Sequence, residues 1–533
     1  MGEIQQETLH GGVTARGRTR GLQLHLSAPA AARIAWSAGL VLVAAYCVLF
    51  VLLSPLPVQD FPDHLARAVA MNDLIFHHGE QYGSIYQFQL LWIPYLLGDL
   101  ILTGAVALLG PSGGSAAWVL LVFLSFPCAA LFYLRLRGGA ARDRPLMLFL
   151  ALYLATDWFF LMGFLSFRIS VAMLIATLAV VELLRRNWSY PLFALYVGAV
   201  ALDYLMHLSP IVFLIAALGV TGLLRLWLRT TTLRQEVALF APVLVVLAWH
   251  FLVATHYREP TDPVTSEWLW GTWASKFARV GSQFFHFAPR TDLLLFALMV
   301  ACLFFRVGIP RMRDLRRPAV LEMAALGVTF LAMYFVLPLG YSEAFYVDTR
   351  PLPLASFFFI AACLALPAPD PATHPRREPL ALALAALLAL GNLAYLTRHF
   401  VADSSWIAQY RAVVAAIPLH GRVLPIYTHG GEGSVFPYLH TSGYVAMDRQ
   451  AREPYVFAGD NGNPMKYFRY INRPYDPAEV WYGKIPRPAV DWHKVSRDYD
   501  FLLVTKPYDP GVLGLATRPV SENSTAALLA IAK

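Results

Sequence analysis

Asp60, Asp63, His64 and Arg67 stand close together in Gln59-Asp60-Phe61-Pro62-Asp63-His64-Leu65-Ala66-Arg67. Their spacing is i, i+3, i+4 and i+7, which puts all four on one face of an α-helix. Asp60 is a residue type that starts helices, and Pro62 suits a first helical turn. Such a face joins two carboxylates, which can take a proton, to an imidazole and a guanidinium, which can hold an anion. The same four residues would also fit a plain surface helix, capped by Asp60 and solvated elsewhere.

Further ionisable groups lie in or beside long apolar runs: Asp157, Arg168, Asp203, His207 and His250. Ionisable groups at membrane depth are candidates for function, although each can instead pair internally or reach the headgroups. Arg350 closes the stretch Tyr341 to Arg350 and stands directly before Pro351-Leu352-Pro353. A guanidinium there could grip a lipid phosphate through paired hydrogen bonds, or simply anchor a helix at the interface. Trp268, Trp270 and Trp273, with Lys276, Arg279 and His286, read as an interfacial segment with an aromatic belt.

The elements that must position these residues follow from composition. The chain has 533 residues, 57% hydrophobic and 14% charged. Soluble domains carry roughly 25% charged residues, so this is a polytopic α-helical membrane protein. Net charge is +8, but the excess Lys and Arg sit in short loops between apolar runs. That is the pattern of cytoplasmic loops and gives no nucleic-acid footprint. All four cysteines fall inside apolar runs, which suggests neither a disulfide framework nor a zinc site.

Residues 1–30 form a basic cytoplasmic tail, and Ala31 to Ser54 is the first span. The Asp60 stretch is therefore external. The basic loop Arg135 to Arg144 must follow an even number of crossings. Three runs precede it, Ala31 to Ser54, Gln89 to Leu109 and Ser115 to Leu134, and the second contains Pro94, Gly98 and Asp99, so it is expected along or dipping into the outer leaflet. External loop 1 then covers residues 55–114. Continuing through the basic loops gives about eleven transmembrane helices over residues 31–396, with further external loops near 256–290 and 339–350. Residues 397–533 turn rich in Tyr, Pro, Gly and Asp. They contain buried-strand patterns at Arg422 to Tyr427 and Phe501 to Thr505, and form a small external α/β domain. Its Tyr438, Tyr444, Tyr455, Tyr467, Trp481 and Tyr482 suit sugar stacking or a domain core. No phosphate-cradling G-x-x-x-x-G-K-[ST] loop, dinucleotide fingerprint, H-E-x-x-H site or G-x-S-x-G elbow is present.

The acidic motif Asp60-Phe61-Pro62-Asp63-His64 after the first span, the juxtamembrane Trp92-Ile93-Pro94-Tyr95-Leu96-Leu97, the junction Phe345 to Pro353 and the soluble unit after the last span together resemble the GT-C class of integral-membrane glycosyltransferases. That class includes the protein mannosyltransferases and the aminoarabinose transferase. The resemblance implies a polyprenyl-phosphate-linked sugar donor and a glycan, lipid or protein acceptor on the external face. It implies inverting transfer with Asp60 or Asp63 as general base. Arg350 would bind the donor phosphate, helped by His64, Arg67 and His207. Tyr346, Asp99 and Arg168 are candidates to line the substrate cavity. No cofactor is expected, although the two aspartates could hold a divalent cation. The Ala/Leu/Arg-rich composition suggests a bacterial inner membrane with a periplasmic C-terminal domain. Two alternatives use the same features: a lipid or polysaccharide transporter or flippase, and a non-catalytic cell-envelope assembly protein.

Overall fold

A computed structural model describes residues 28–137, 143–253, 268–308, 312–341, 344–367, 373–374, 376–428, 434–456, 465–467 and 490–533. Residues 1–27 of the expected tail, Trp481 and Tyr482 lie outside them. The helices begin with α1 (Ala28–Leu52), α2 (Phe61–Phe76), α3 (Leu96–Leu136), α4 (Asp143–Ala155), α5 (Trp158–Leu161) and α6 (Leu165–Arg186). There follow α7 (Tyr190–Met206), α8 (Ser209–Trp227), α9 (Leu233–Leu252), α10 (Trp273–Arg279), α11 (Pro289–Val307) and α12 (Met312–Leu315). The last five are α13 (Pro318–Val336), α14 (Leu352–Ala365), α15 (Arg377–Val414), α16 (Gly443–Arg449) and α17 (Trp492–Asp498).

Seven helices among the described residues are long and apolar enough to cross a membrane, or eight if the bent pair Trp273–Phe284 and Pro289–Val307 is one span. The helices α7 and α14 are shorter but apolar. A helix satisfies its backbone polar groups internally, as lipid demands. The chain is thus an integral, multi-pass membrane protein.

Two helices depart from simple spans. In α3, Gly110 has φ +72° and ψ 173°, followed by Pro111. A straight helix would place Gly114 about 12 Å from Val106. Instead a Cβ on Gly114 would lie 2.6 Å from the Val106 nitrogen, so the chain doubles back at Gly110. The first arm starts at Leu96 beside α2, and the second starts where Ser54, just past α1, donates to the Ser112 carbonyl at 2.8 Å. Both ends of the short arm therefore sit at one end of α1. The other departure is α15, whose 38 residues run through Leu396 without a break. The helix therefore runs on past Leu396, where the apolar run ends. Polar residues such as His399 and Asp403 end the hydropathy signal, but nothing in them ends a helix.

At the opposite end of the bundle, Glu182 and Glu322 gather arginines from the ends of α3 and α8. Arg225 reaches Glu182 at 2.6 Å and Glu322 at 2.7 Å, and Arg137 contacts both carboxylates. Arg306 grips Asp143 with two hydrogen bonds of 2.7 and 2.8 Å.

After α15 the chain builds a four-stranded sheet in the order β5-β7-β9-β8. Its strands are β5 (Val423–Ile426), β7 (Phe501–Thr505), β8 (Thr517–Glu522) and β9 (Ala526–Ile531). β5 and β7 are parallel, and the other pairings are antiparallel. Alternate residues face opposite sides. Leu424, Ile426, Leu502, Val504 and Leu529 enter one core, while Val423, Leu503 and Leu528 pack with Tyr410, Val413 and Val414 of α15. The sheet is thereby fused to the last long helix. β1 (Tyr86–Phe88) pairs with β6 (Met465–Tyr467), joining loop 1 to the C-terminal unit. β2 (Trp268–Leu269), β3 (Gly340–Tyr341) and β4 (Ala344–Phe345) make a small sheet that leads to Arg350.

Candidate active site

Helix α2 starts where the sequence pattern places it, with Asp60 at the N-cap and Pro62 in the first turn. Asp60 makes no side-chain cap hydrogen bond, however. Its carboxylate is not spent on the helix. The approach to α2 is held by backbone instead: Gln59 and Asp60 N–H donate to Leu161 and Met162 carbonyls, each at 3.1 Å. These carbonyls belong to the short turn around α5. Gly163 follows with φ +80°, and a Cβ there would stand 2.6 Å from the Asp60 nitrogen. Only glycine combines that conformation with so close a backbone approach.

The two aspartates differ. Asp63 is fully buried and Asp60 is 8% exposed. Between them stands His440, whose Nδ1 is 2.7 Å from Asp63 Oδ2 and whose Nε2 is 3.6 Å from Asp60 Oδ1. Asp60 Oδ1 also accepts from Gln59 Nε2 at 3.3 Å. Burial pushes the Asp60 carboxyl up to about 6; His440 opposes the rise, Asp63 adds to it and the Gln59 hydrogen bond opposes it. A carboxylate with that value is a stronger base than an ordinary one and is still ionised at neutral pH.

His64 and Arg67 lie on the same face of α2. Arg67 contacts His64 Nδ1 at 3.0 Å and makes a short ion pair with Asp99 of α3. Burial, then the charges of Arg67 and His440, hold His64 well below its ordinary range, so it is neutral.

One helical turn before Asp99 stands Tyr95, whose carbonyl accepts from the Asp99 N–H at 3.0 Å. Tyr95 leads to the second half of the site: its hydroxyl is 3.1 Å from His207 Nε2. The Ser209 N–H donates to His207 Nδ1 at 3.0 Å. In a neutral ring that leaves the proton on Nε2, directed at Tyr95. Arg350 comes within 3.3 Å of the same Nε2, donates to Ser209 Oγ and the Phe345 carbonyl at 3.3 Å, and lies over the Phe164 and Phe167 rings. Among the described residues it meets no carboxylate, and its Nε has no hydrogen-bond partner. Phe164 stands next to Gly163, so the turn that supports Asp60 also supports Arg350.

The structure thus gathers Asp60 and Asp63 around His440, and from the same face of α2 runs a second set of contacts through His64, Arg67, Asp99, Tyr95, His207 and Arg350. Tyr346 is beside it, edge-on to Trp158 with centroids 4.8 Å apart. Arg168 is not in the set. It is 1% exposed, pairs with Asp157 at 3.2 Å and donates to the Leu154 carbonyl, which makes it a bundle-holding residue instead of a cavity wall. Asp203 accepts from Thr177 at 2.8 Å, and His250 meets the Tyr204 hydroxyl. Lys276 donates to the carbonyls of Tyr334, Phe335 and Leu337 at the end of α13, while Trp268, Trp270 and Trp273 are exposed. Tyr438 is stacked on Trp406, and Tyr444 and Tyr455 are buried in the C-terminal cores. Among the described residues no three His, Cys, Asp or Glu side chains are arranged to hold a metal ion. The residue that sequence reasoning missed is His440. It is 377 positions from Asp63, and no local pattern marks it.

No family model matches the chain, and no curated protein matches it. Among solved structures it is similar to ArnT from Cupriavidus metallidurans in the apo state. The identity is 12%, 94% of this chain and 98% of that one are covered, and the TM-score is 0.53. It also overlaps the arabinofuranosyltransferase AftD from Mycobacteria at 13% identity, over 93% of this chain and 41% of that one. With a TM-score of 0.45, that second likeness carries no weight. At that identity the likeness to ArnT is one of fold.

Proposed function

We propose that this chain is an inverting membrane glycosyltransferase that moves a sugar from a polyprenyl-phosphate-linked donor to an acceptor on the external face. The observation that carries the reading is a pairing of opposites. A nearly buried carboxylate of raised basicity, Asp60, shares the α5 turn with a guanidinium, Arg350, that meets no carboxylate among the described residues. The GT-C fold supports the same reading.

In the proposed reaction an acceptor hydroxyl or amine attacks the anomeric carbon from the face opposite the phosphate. The bond from that carbon to the phosphate oxygen breaks, and the configuration inverts. The acceptor proton passes to Asp60, which must lie within about 3 Å of it in the bound state. The departing lipid phosphate gains negative charge and needs electrostatic stabilisation more than a proton. Arg350 supplies it, and His207, whose Nε2–H is directed at Tyr95, stands beside it. Arg67 is already committed to Asp99 and orients His64. Asp63, being buried, supports Asp60 and does not reach the acceptor.

The site belongs on the external side in this reading. The Arg–Glu network at the other end of the bundle then faces the cytoplasm, as the basic loops require. Eleven crossings satisfy that polarity with the short arm of α3 lying in the outer leaflet. In a bacterium the membrane is the inner one and the C-terminal unit is periplasmic.

The test is an assay in lipid nanodiscs with labelled polyprenyl-phosphate sugars and a crude envelope extract as acceptor, followed by analysis of the anomeric linkage. A product of inverted configuration supports the proposal. A product of retained configuration, or no donor consumed by folded protein across the panel, refutes it.

A further inference from the structure

The C-terminal unit reaches the acidic site through one segment, Ser434 to Gly443. The Ser434 carbonyl accepts from Trp158 Nε1 at 3.0 Å, and the Phe436 N–H donates to Gln59 Oε1 at 3.0 Å. At the far end Gly443 lies so close to the start of α2 that a Cβ would be 2.4 Å from the Pro62 carbonyl oxygen. His440 stands between these fixed points in the left-handed conformation, with φ +59°. The reaction described above gives it no part.

We propose that His440 is a positioning residue: held by Asp63 through Nδ1–H, it presents Nε2 to Asp60 and sets that carboxylate's orientation and charge. The inference rests on the reading of Asp60 as the base. Asp63 is fully buried, and its Oδ2 faces Nδ1 at 2.7 Å. A carboxylate so placed fixes the imidazole's tautomer and direction. Nε2 then faces Asp60 Oδ1 at 3.6 Å. When the ring is protonated, this is a positive charge within ion-pair range of the base. Among the influences on Asp60, His440 is the largest that opposes burial. Other charged or titratable groups face the pair. His64 and Arg67 stand on α2, and Tyr427, at the end of β5, accepts from the Ser442 N–H at 2.7 Å. Glu453 lies beyond Tyr427. The external unit is on this account part of the active site and not an accessory to it.

The test variant is His440→Asn. Asparagine adopts the left-handed conformation as readily as histidine, keeps an N–H for Asp63 and carries no charge. His440→Gln is the second variant should the first not fold. Two readouts are taken on the full chain in nanodiscs. Infrared difference titration follows the Asp60 carboxyl, identified by its loss in Asp60→Asn. The pH dependence of kcat/KM is measured with a labelled polyprenyl-phosphate sugar. Loss of a cation at this distance should raise the Asp60 midpoint by about one pH unit or more. Near pH 6, kcat/KM should fall about fivefold or more, with recovery about two pH units higher. An unmoved midpoint in a folded variant overturns the proposal. A shifted midpoint in a protein that consumes no donor upholds the role of His440 and rejects the glycosyltransferase reading.

Discussion

Gly163 is the residue on which the geometry of the site most depends. It lies at φ +80°, with an ideal Cβ position 2.6 Å from the Asp60 nitrogen, 2.9 Å from the Phe61 nitrogen and 3.1 Å from the Asp60 Cα. All three are backbone atoms, so no side chain can swing away. In Gly163→Ala the left-handed conformation costs about 1–2 kcal/mol. The forced contact adds about 1–3 kcal/mol. To reach ordinary van der Waals contact the start of α2 must shift by about 0.8 Å, and Asp60 shifts with it. A displacement near 1 Å costs about a hundredfold in rate. We expect Gly163→Ala to lose about 2–5 kcal/mol of stability and about a hundredfold in transfer per folded molecule. Two controls separate the terms. Gly110→Ala also has positive φ, +72°, with nothing within 4 Å, and its ψ of 173° is harsher still for alanine, so it sets an upper bound on conformational strain without a clash. Gly198→Ala is also unobstructed and lies inside α7, where alanine gains about 1 kcal/mol over glycine. Thermal unfolding in nanodiscs and single-turnover transfer are the assays. Parental stability and rate in Gly163→Ala would show that α5 does not hold Asp60.

Three further outcomes are expected. Asp60 has its folded value raised from 3.8 to about 6, so the unfolded carboxyl ionises first, and folding loses stability as pH rises through that window. Asp60→Asn should therefore be more heat-stable than the parent at pH 7.5, by up to about 3 kcal/mol, and equal to it below about pH 4. The parent's kcat/KM should fall as pH drops through about 6; a flat profile there would rule out Asp60 as the titrating base. Arg350→Ala should weaken donor binding by about 10- to 100-fold, the worth of a charge-assisted hydrogen bond. Arg350→Lys should restore only part of it, since the planar fork is lost; full retention of affinity in Arg350→Ala would show that the phosphate lies elsewhere. Glu322→Gln breaks a buried carboxylate's links to Arg137 and Arg225. It should cost about 3–5 kcal/mol in unfolding measurements while the rate per folded molecule is unchanged.

Much of this was legible in the sequence because it is local. The i, i+3, i+4, i+7 spacing from Asp60 to Arg67 is a property of one helix turn after another. Pro94, Gly98 and Asp99 mark irregular backbone wherever they fall, which sets Gln89 to Leu109 apart from the simpler apolar runs. The strands β5 and β7 each follow from a short run rich in branched residues between turn signals, but their pairing does not. What could not be read depends on distance in the chain or on context. Arg168 looks like a cavity residue until Asp157, eleven positions earlier, is seen beside it. Hydropathy ends the last span at Leu396 but does not show that the helix continues to Val414, because helix-compatible residues follow. His440 is invisible to any local pattern: it reaches the site only because β1 pairs with β6, α16 packs on α2, and both tie the C-terminal unit to loop 1.

The central claim is that Asp60, and not its buried neighbour, takes the acceptor proton. Its most direct test is single-turnover sugar transfer at pH 7.5 by the parent, Asp60→Asn and Asp63→Asn, each shown to be folded by circular dichroism. Loss of about 10²- to 10⁴-fold in Asp60→Asn, with a smaller loss in Asp63→Asn, is the predicted result. Parental transfer by Asp60→Asn would contradict it.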